Sequence, residues 1–371
     1  MQTLQLMIKP ASDSCNLRCS YCFYHNIAQN RSRPNRGMMS IGTFETIAKK
    51  ALACAQKMCT FSFQGGEPAL AGLDFYRQAL ACIRDCNTRR IPVSVTFQTN
   101  GTLITQEWAD FLAAERILTG VSLDGPAEFH NRYRTDTRHK ASYAAVLRGI
   151  DCLKRSGAQF NILSVVTDAS ARHAHKMYDF FKKRRFEYLQ FIPCLAPLDA
   201  GAAEPLLTSQ AYGTFLCELF DCWYADIMRG TYVSIRQFDN YVHMLHGYPP
   251  ESCDMGGRCS VQHVVEADGN VYPCDFYCLD RYLLGNILTD SFEQFSARRQ
   301  ELGFIEESQI HTERCLSCRW YAICRGGCKR HRLMTGDETL QTNYFCQSFQ
   351  LFFDRCADRL LRAARLTAAP R

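Results

Sequence analysis

A chain of 371 residues, 47% of them hydrophobic, can bury one large core or two of ordinary size, so its stability requires no covalent staples. A net charge of +6 is too small to mark a nucleic-acid-binding chain, and no apolar run approaches the ~18 residues of a membrane span, so neither partner is expected. The 21 cysteines exceed what packing uses yet fall below the density of small disulfide scaffolds, which leaves metal or redox chemistry.

The opening MQTLQLMIKP lacks a basic region followed by an apolar run and a small-residue cleavage site. A soluble, cytoplasmic protein is therefore expected, in a compartment where thiolates stay reduced and bind iron or zinc. Strand-like runs then follow in order: LQLMIK from 4, CTFSFQG from 59, VSVTFQTNG from 93, TGVSLDG from 119, NILSVVT from 161 and YLQFIPC from 188. Helical spacing separates most of them, as in TFETIAKKALACAQ from 43, LDFYRQALACIRDC from 73 and YAAVLRGIDCLKRSG from 143. Six strands alternating with helices predict an α/β fold with a parallel sheet, a partial (β/α)6 barrel whose wide mouth admits part of a polypeptide. Several runs end in polar, glycine-containing turns, QGGEP, QTNG and SLDG, at the ends that carry active sites in β/α barrels. KKRR at 182 to 185 reads as a solvated helix face.

From Leu195 the segment LAPLDAGAAEPLLTSQ reads as a linker, followed by a helix in AYGTFLCELFDCWYADIMRG. From Cys253 onward cysteine is the organising residue and regular periodicity is scarce. The expected domains are 1–235, the partial barrel with its trailing linker and helix, and 236–371, a C-terminal cysteine-rich domain held by metal rather than by a large apolar core.

Cys15, Cys19 and Cys22 have the spacing C-x3-C-x2-C on a loop after the first strand. Three sulfurs converging on three corners of a cube leave the fourth iron of a 4Fe-4S cluster open to substrate; the alternative is a zinc site with a distant fourth ligand. This spacing, with the aromatic Tyr21 before the last cysteine, resembles the signature of the radical S-adenosylmethionine enzymes. The resemblance implies that the open iron chelates the amino and carboxylate groups of the cofactor's methionine, and it implies the partial barrel as well. GGEP resembles that family's methionine-binding element: Gly65 and Gly66 allow close backbone approach, and Glu67 accepts hydrogen bonds from an ammonium. By itself GGEP is an ordinary strand-to-helix turn. Tyr21, Ser122, Asp124, Arg134 and Leu195 are the further cofactor contacts that the resemblance implies.

Cys259 is followed after nine residues by Gly269 and after four more by Cys274. CLSCRWYAICRGGC then carries Cys315, Cys318, Cys324 and Cys328, and Cys346 closes the set. The array resembles the SPASM domain, a carrier of auxiliary iron-sulfur clusters. With Cys253 there are eight thiols. By resemblance, Cys253, Cys259, Cys274 and Cys328 hold one cluster and Cys315, Cys318, Cys324 and Cys346 the other, both fully ligated and fit for electron transfer or structural support.

VVEADGNVYPCDFY, residues 264 to 277, resembles the anaerobic sulfatase-maturating enzymes, as do CNL, YCFY, FQGGEP, QTNGTLI and GNI elsewhere. That resemblance implies three 4Fe-4S clusters, S-adenosyl-L-methionine, and a 5′-deoxyadenosyl radical that oxidises a Cys or Ser of a sulfatase polypeptide to Cα-formylglycine. It also implies an external electron donor such as flavodoxin or ferredoxin, and a monomer. Asp275 is the expected base. A thiol and a carboxylate differ by roughly 4.6 pKa units, about 6 kcal/mol uphill, so the transfer requires the radical's greater acidity or a raised carboxyl pKa. The alternative is a maturase of ribosomal peptides that forms thioether or carbon-carbon crosslinks. Cys278 departs from the family pattern and is expected as a packed thiol or an alternative ligand. Cys54, Cys82, Cys152 and Cys217 are expected as small buried hydrophobes, and His173 and His175 as residues near a helix start without a ligand role.

Overall fold

The computed structural model describes residues 2–196, 206–333 and 342–367. In chain order they form β1 (Thr3–Ile8), α1 (Phe23–Gln29), α2 (Ile41–Cys54), β2 (Met58–Phe63), α3 (Leu73–Cys86), β3 (Val93–Thr99), α4 (Gln106–Ala114) and β4 (Leu118–Ser122). Next come α5 (Tyr143–Arg155), β5 (Phe160–Val166), α6 (Ala174–Lys183), β6 (Tyr188–Pro193), α7 (Ser209–Met228), β7 (Ser234–Ile235) and α8 (Arg236–Leu245). Three short strands, β8 (His263–Val265), β9 (Asn270–Tyr272) and β10 (Gly285–Asn286), precede the long α9 (Cys346–Thr367). All six expected strands of the (β/α)6 pattern form, separated by helices.

Two compact units, each discontinuous, share these elements, and they do not follow a single cut at residue 235. The first comprises 1–122, 133–160 and 261–304, the second 123–132, 161–260 and 305–371. In the first unit β1, β2, β3 and β4 pair in parallel, and β8 adds in parallel to the free side of β1. β9 and β10 follow antiparallel. Alternation decides which face is covered. Cys59, Phe61 and Phe63 of β2 are buried with Phe97 of β3, while Thr60, Ser62 and Gln98 occupy the more open face. Phe44, Phe75, Tyr76 and Trp108 bring helical aromatic rings onto the buried face; Tyr76 lies edge-on to Phe63 at 5.0 Å and to Phe97 at 5.2 Å.

The segment 261–304, grouped by sequence with the C-terminal cysteines, sits in this first unit because of a buried ion cluster. Glu266, just past β8, is fully covered and accepts from Lys9 at the end of β1, from Arg31 Nη1 at 2.7 Å and from Ser12 Oγ at 2.9 Å. Against the cost of burial, the charges of Lys9 and then Arg31 draw the Glu266 carboxyl down to about 2.

In the second unit β5, β6 and β7 pair in parallel, and α7 packs along α9. The expectation of a C-terminal region without a large apolar core is overturned. Phe352, Phe353, Cys356, Leu360, Ala363 and Ala364 of α9 are buried at helical spacing, and Phe352 meets Phe220 at 5.6 Å and Phe238 at 5.7 Å. KKRR straddles the end of α6: Lys182 and Lys183 complete the last turn, where cations suit the helix dipole, and Arg185 lies beyond at φ 56°. His173 caps the same helix. Most of the expected linker, 197–205, lies outside the described residues. Cys217 is buried as expected, but Cys54, Cys82 and Cys152 are only half-buried, since each lies at the margin of its helix's apolar face.

Because Glu266 is the shared acceptor of two buried cations, Glu266→Gln should destabilise the protein by about 3–5 kcal/mol, and Lys9→Met by less, since Arg31 still pairs the carboxylate. The lowered carboxyl pKa contributes its stability in full above the ordinary 4.5, and that contribution is lost as pH falls from there towards 2. Chemical denaturation across that range, comparing wild type with Glu266→Gln, reads both effects; equal acid sensitivity would remove the assignment.

Candidate active site and cluster-ligand thiols

The register of the first unit brings the strand ends level: Ile8 pairs with Phe63, Phe63 with Phe97 and Thr99 with Val121. The segments after β1, β2 and β3 therefore emerge at one edge, and they carry the cysteine loop, GGEP and QTNG. Contact between the first two is tight. Glu67 N donates to Ser14 O at 2.8 Å, and a Cβ on Gly66, at φ 57°, would lie 2.3 Å from that same oxygen. Gly65 is equally constrained, since its Cβ would lie 2.5 Å from Lys9 Cε. Only glycine fits either position.

Glu67 is fully buried, and its carboxylate takes three protein donors: Ala69 N at 3.0 Å, Thr99 Oγ1 at 2.8 Å and Asn100 N at 2.7 Å. Two carboxylate oxygens offer about four acceptor sites, so one remains for a ligand. Burial raises its pKa, against those hydrogen bonds and the charge of Arg134. Arg134 Nη1 reaches Cys19 Sγ at 3.9 Å, and its guanidinium lies 5.4 Å from the centre of the Tyr21 ring. Ser122 accepts from Gln98 Nε2 at 3.2 Å. These predicted residues thus gather around one edge of the first unit. Asp124 and Leu195 belong to the second unit, where Asp124 Oδ1 accepts from Val165 N at 2.9 Å and Leu195 follows β6 half-buried.

Cys15, Cys19 and Cys22 lie close enough to act on one another electrostatically. Burial first, then the Glu67 carboxylate, pushes the Cys15 thiol up to about 12, although Leu17 N donates to its sulfur at 3.4 Å. The Cys15 thiol, crowded by two others beside a buried carboxylate, gives up its proton only near strong positive charge, which fits a thiolate set for iron. In the second unit Cys315, Cys318, Cys324 and Cys346 line one pocket with Trp320, Tyr321 and Phe353. Burial and the other three thiols push Cys324 up to about 11. Cys253, Cys259 and Cys328 form a second group there, with Cys328 raised by burial and then by Cys253. Both donor sets fit an iron-sulfur cluster. Cys274, the fourth thiol expected with this last group, belongs to the first unit.

Asp275 is buried at the start of a short helical turn after Cys274. Its Oδ2 accepts from Tyr24 OH at 3.1 Å, Gln64 Nε2 donates to the same hydroxyl at 2.7 Å, and Cys274 Sγ lies 3.5 Å from Oδ1. Burial raises the Asp275 carboxyl above its ordinary value, and the hydrogen bonds oppose it. Phe23 and Phe276 pack at 4.5 Å and hold the turn against α1. Tyr24 and Gln64 were not singled out from sequence, although both lie within quoted motifs, YCFY and FQGGEP; Tyr24 reaches Asp275, 251 positions away, and Gln64 meets Tyr24, 40 positions away. Cys278 is fully buried, donates to Cys274 O at 3.7 Å and is pushed up to about 12 by burial, as befits a packed thiol.

Residues 10–181 match the radical SAM superfamily, and 253–319 match an iron-sulfur cluster-binding domain. A cysteine-type anaerobic sulfatase-maturating enzyme of Clostridium novyi (strain NT) is 44% identical over 370 residues, covering 99% of each chain. The serine-type enzyme of Bacteroides thetaiotaomicron is 31% identical, covering 95% of this chain and 89% of its own. The structure of native anSMEcpe with bound AdoMet and the Cp18Cys peptide matches with a TM-score of 0.92 at 42% identity, covering 98% of this chain and 99% of that one. Streptococcus suis SuiB bound to precursor peptide SuiA shares the fold, with a TM-score of 0.65 at 16% identity over 93% of this chain and 76% of its own.

Gly66→Ala should displace the Ser12–Ser14 backbone and with it the cysteine loop. Iron and sulfide analysis after anaerobic reconstitution is expected to show the loss of one cluster's complement, with the other two retained; full loading would show that the loop tolerates a Cβ.

Proposed function

The chain belongs to the anaerobic sulfatase-maturating enzymes, radical S-adenosylmethionine proteins with a cluster-binding C-terminal region, and we infer that it oxidises a cysteine of a sulfatase polypeptide to Cα-formylglycine. The observation that carries the chemistry is Asp275, a buried carboxylate held by Tyr24, whose hydroxyl accepts in turn from Gln64, and followed in the same turn by an aromatic residue packed on α1. Cysteine rather than serine is supported by identity, 44% to a cysteine-type relative against 31% to a serine-type one.

When bound, S-adenosylmethionine and a cluster held by Cys15, Cys19 and Cys22 would supply radical chemistry at the target's β-carbon, and clusters held by the other eight thiols would supply an electron acceptor. The residues around them have separate tasks. Gly65 and Gly66 let backbone approach the cofactor's methionine, and Glu67 offers its unused acceptor site to the ammonium. Arg134 and Tyr21 stand beside the cysteine loop, and Ser122, Asp124 and Leu195 serve the ribose, carboxylate and adenine. Asp275 takes the thiol proton as the thioaldehyde forms. Tyr24 stays a phenol, because burial and the nearby Asp275 raise its pKa well above the ordinary value, so it donates to Asp275 and fixes the carboxylate. Water then adds to the thioaldehyde carbon, and hydrogen sulfide leaves as formylglycine forms. Cys253, Cys259, Cys274 and Cys328 hold one auxiliary cluster, and Cys315, Cys318, Cys324 and Cys346 the other. The functional domains are 1–235 and 236–371. A flavodoxin or ferredoxin supplies the electron to a monomeric, cytoplasmic enzyme; among the described residues no helix is long and apolar enough to cross a membrane.

Asp275→Asn should retain all three clusters and cofactor cleavage while formylglycine formation falls by about 10²–10⁴-fold. Cys15→Ala should abolish cleavage altogether. Anaerobic turnover followed by mass spectrometry of peptide and 5′-deoxyadenosine checks both; normal product from Asp275→Asn would take Asp275 out of the mechanism. Offered matched Cys and Ser peptides, the enzyme should favour the Cys peptide by about tenfold or more in kcat/KM, equivalent to ~1.4 kcal/mol. Equal rates would assign it both substrates, and a crosslinked product without aldehyde would select peptide maturation.

A further inference from the structure

The four residues after Cys328 read KRHR, and the fold turns their charges inward: Lys329, Arg330 and Arg332 are 2%, 1% and 2% exposed. Lysine and arginine are rarely covered so completely, and here three of them are covered within one turn of a cluster-ligand thiol. Each is held in place. Arg332 spreads its guanidinium over three carbonyls, with Nη1 donating to Ile310 O at 2.7 Å and Nη2 to Ser308 O at 2.6 Å and Gly257 O at 3.5 Å. The hydroxyl of the same Ser308 accepts from Cys259 N at 2.8 Å, so one residue joins the guanidinium to the backbone of a second ligand thiol. Lys329 Nζ donates to Glu307 Oε2 at 2.7 Å, and that carboxylate is half-exposed. Arg330 donates its backbone N–H to Cys328 Sγ at 3.3 Å, and its Nη2 donates to Ala196 O. Burial raises the Cys259 thiol, and the Ser308 hydrogen bond and the charges of Lys329 and Arg332 oppose it. The other group of thiols is arranged differently, since Arg314, the cation that acts on Cys346, is exposed to solvent.

We propose that Lys329, Arg330 and Arg332 raise the reduction potential of the auxiliary cluster to which Cys253, Cys259 and Cys328 contribute, and so make it a better electron acceptor. This rests on the assignment of those three thiols to one cluster. A 4Fe-4S cluster with thiolate ligands is net negative and becomes more so on taking up one electron, and its potential follows local charge, hydrogen bonds to sulfur and solvent exposure. A fixed, buried cation therefore stabilises the reduced form more than the oxidised one, and the low dielectric of the interior strengthens the effect. The N–H of Arg330 on Cys328 acts in the same direction by withdrawing charge from the sulfur. Arginine suits the position of Arg332 because its guanidinium stays protonated when buried and its planar fork fits several acceptors at once. The electron taken up is the one that oxidation of the target cysteine releases.

Wild type and variants, reconstituted anaerobically and matched for iron and sulfide, are titrated against potential and followed by electron paramagnetic resonance. Cys259→Ala, which should lose one signal, identifies the cluster concerned. Arg332→Gln should lower the midpoint of that signal alone, shifting its ratio of reduced to oxidised cluster about tenfold, equivalent to ~59 mV for one electron. Arg332→Lys keeps the charge while giving up the fork onto three carbonyls, and should hold the ratio within about twofold of wild type. Glu307→Gln should move the midpoint the other way, by about twofold in the ratio, because it removes a partly screened negative charge that offsets Lys329. Its side chain is half-exposed, so the sign of this shift decides the proposal even where Arg332→Gln fails to load. An unchanged or lowered midpoint in Glu307→Gln, or an equal fall in Arg332→Lys and Arg332→Gln, would overturn the role of charge. Loss of no signal in Cys259→Ala would overturn the ligand assignment and the proposal together.

Discussion

The carboxylate of Glu266 is the contact on which the first unit's site depends. It is fully buried and joins three pieces of chain that nothing local would unite: the end of β1, the loop after α1 and the end of β8. Burying an isolated charge is prohibitive, so each partner is stable only while the others are present. The site inherits this constraint. The stem of Lys9 fills the space that Gly65 leaves, and its ammonium lies 5.1 Å from the centre of the Tyr24 ring, whose hydroxyl reaches Asp275. One buried ion cluster thus ties the cysteine loop and the GGEP turn to the buried carboxylate of Asp275.

A second constraint is thiol acidity. Cys15 and Cys324, pushed to about 12 and about 11, would remain protonated at neutral pH without a strong positive charge beside them. Cluster assembly at these two sulfurs therefore competes with protons, and loading couples to the local fold. In the second unit Gly326 and Gly327 take φ 75° and 69° in CRGGC, a path open to few other residues.

Much of this was legible in the sequence because it is local. Strands of period two and helices of period 3.6 alternate visibly, and the cysteine spacings, GGEP and the Cys274–Asp275 pair can be read without knowing what they touch. The hydrogen bonds that complete the site were hidden, since Glu67 is met by Thr99 and Asn100 from the next strand and Asp275 by Tyr24 from the first helix. The long helix α9 was missed for another reason. Its buried positions 352, 353, 356, 360, 363 and 364 have a clear helical period, but the cysteines upstream dominated the reading of that region. The pairing of β8 with β1 left no local trace at all.

That pairing also affects how the chain is made. Lys9 and Glu266 are separated by 257 residues, so a ribosome has produced about two thirds of the protein before β1 gains its second neighbour. Until then the nascent first unit exposes an unpaired strand edge and carries two cations bound for the interior with no anion to meet them. The N-terminal region is thus the first part synthesised and among the last to mature, and through that interval the edge of β1 is open to pairing with another chain.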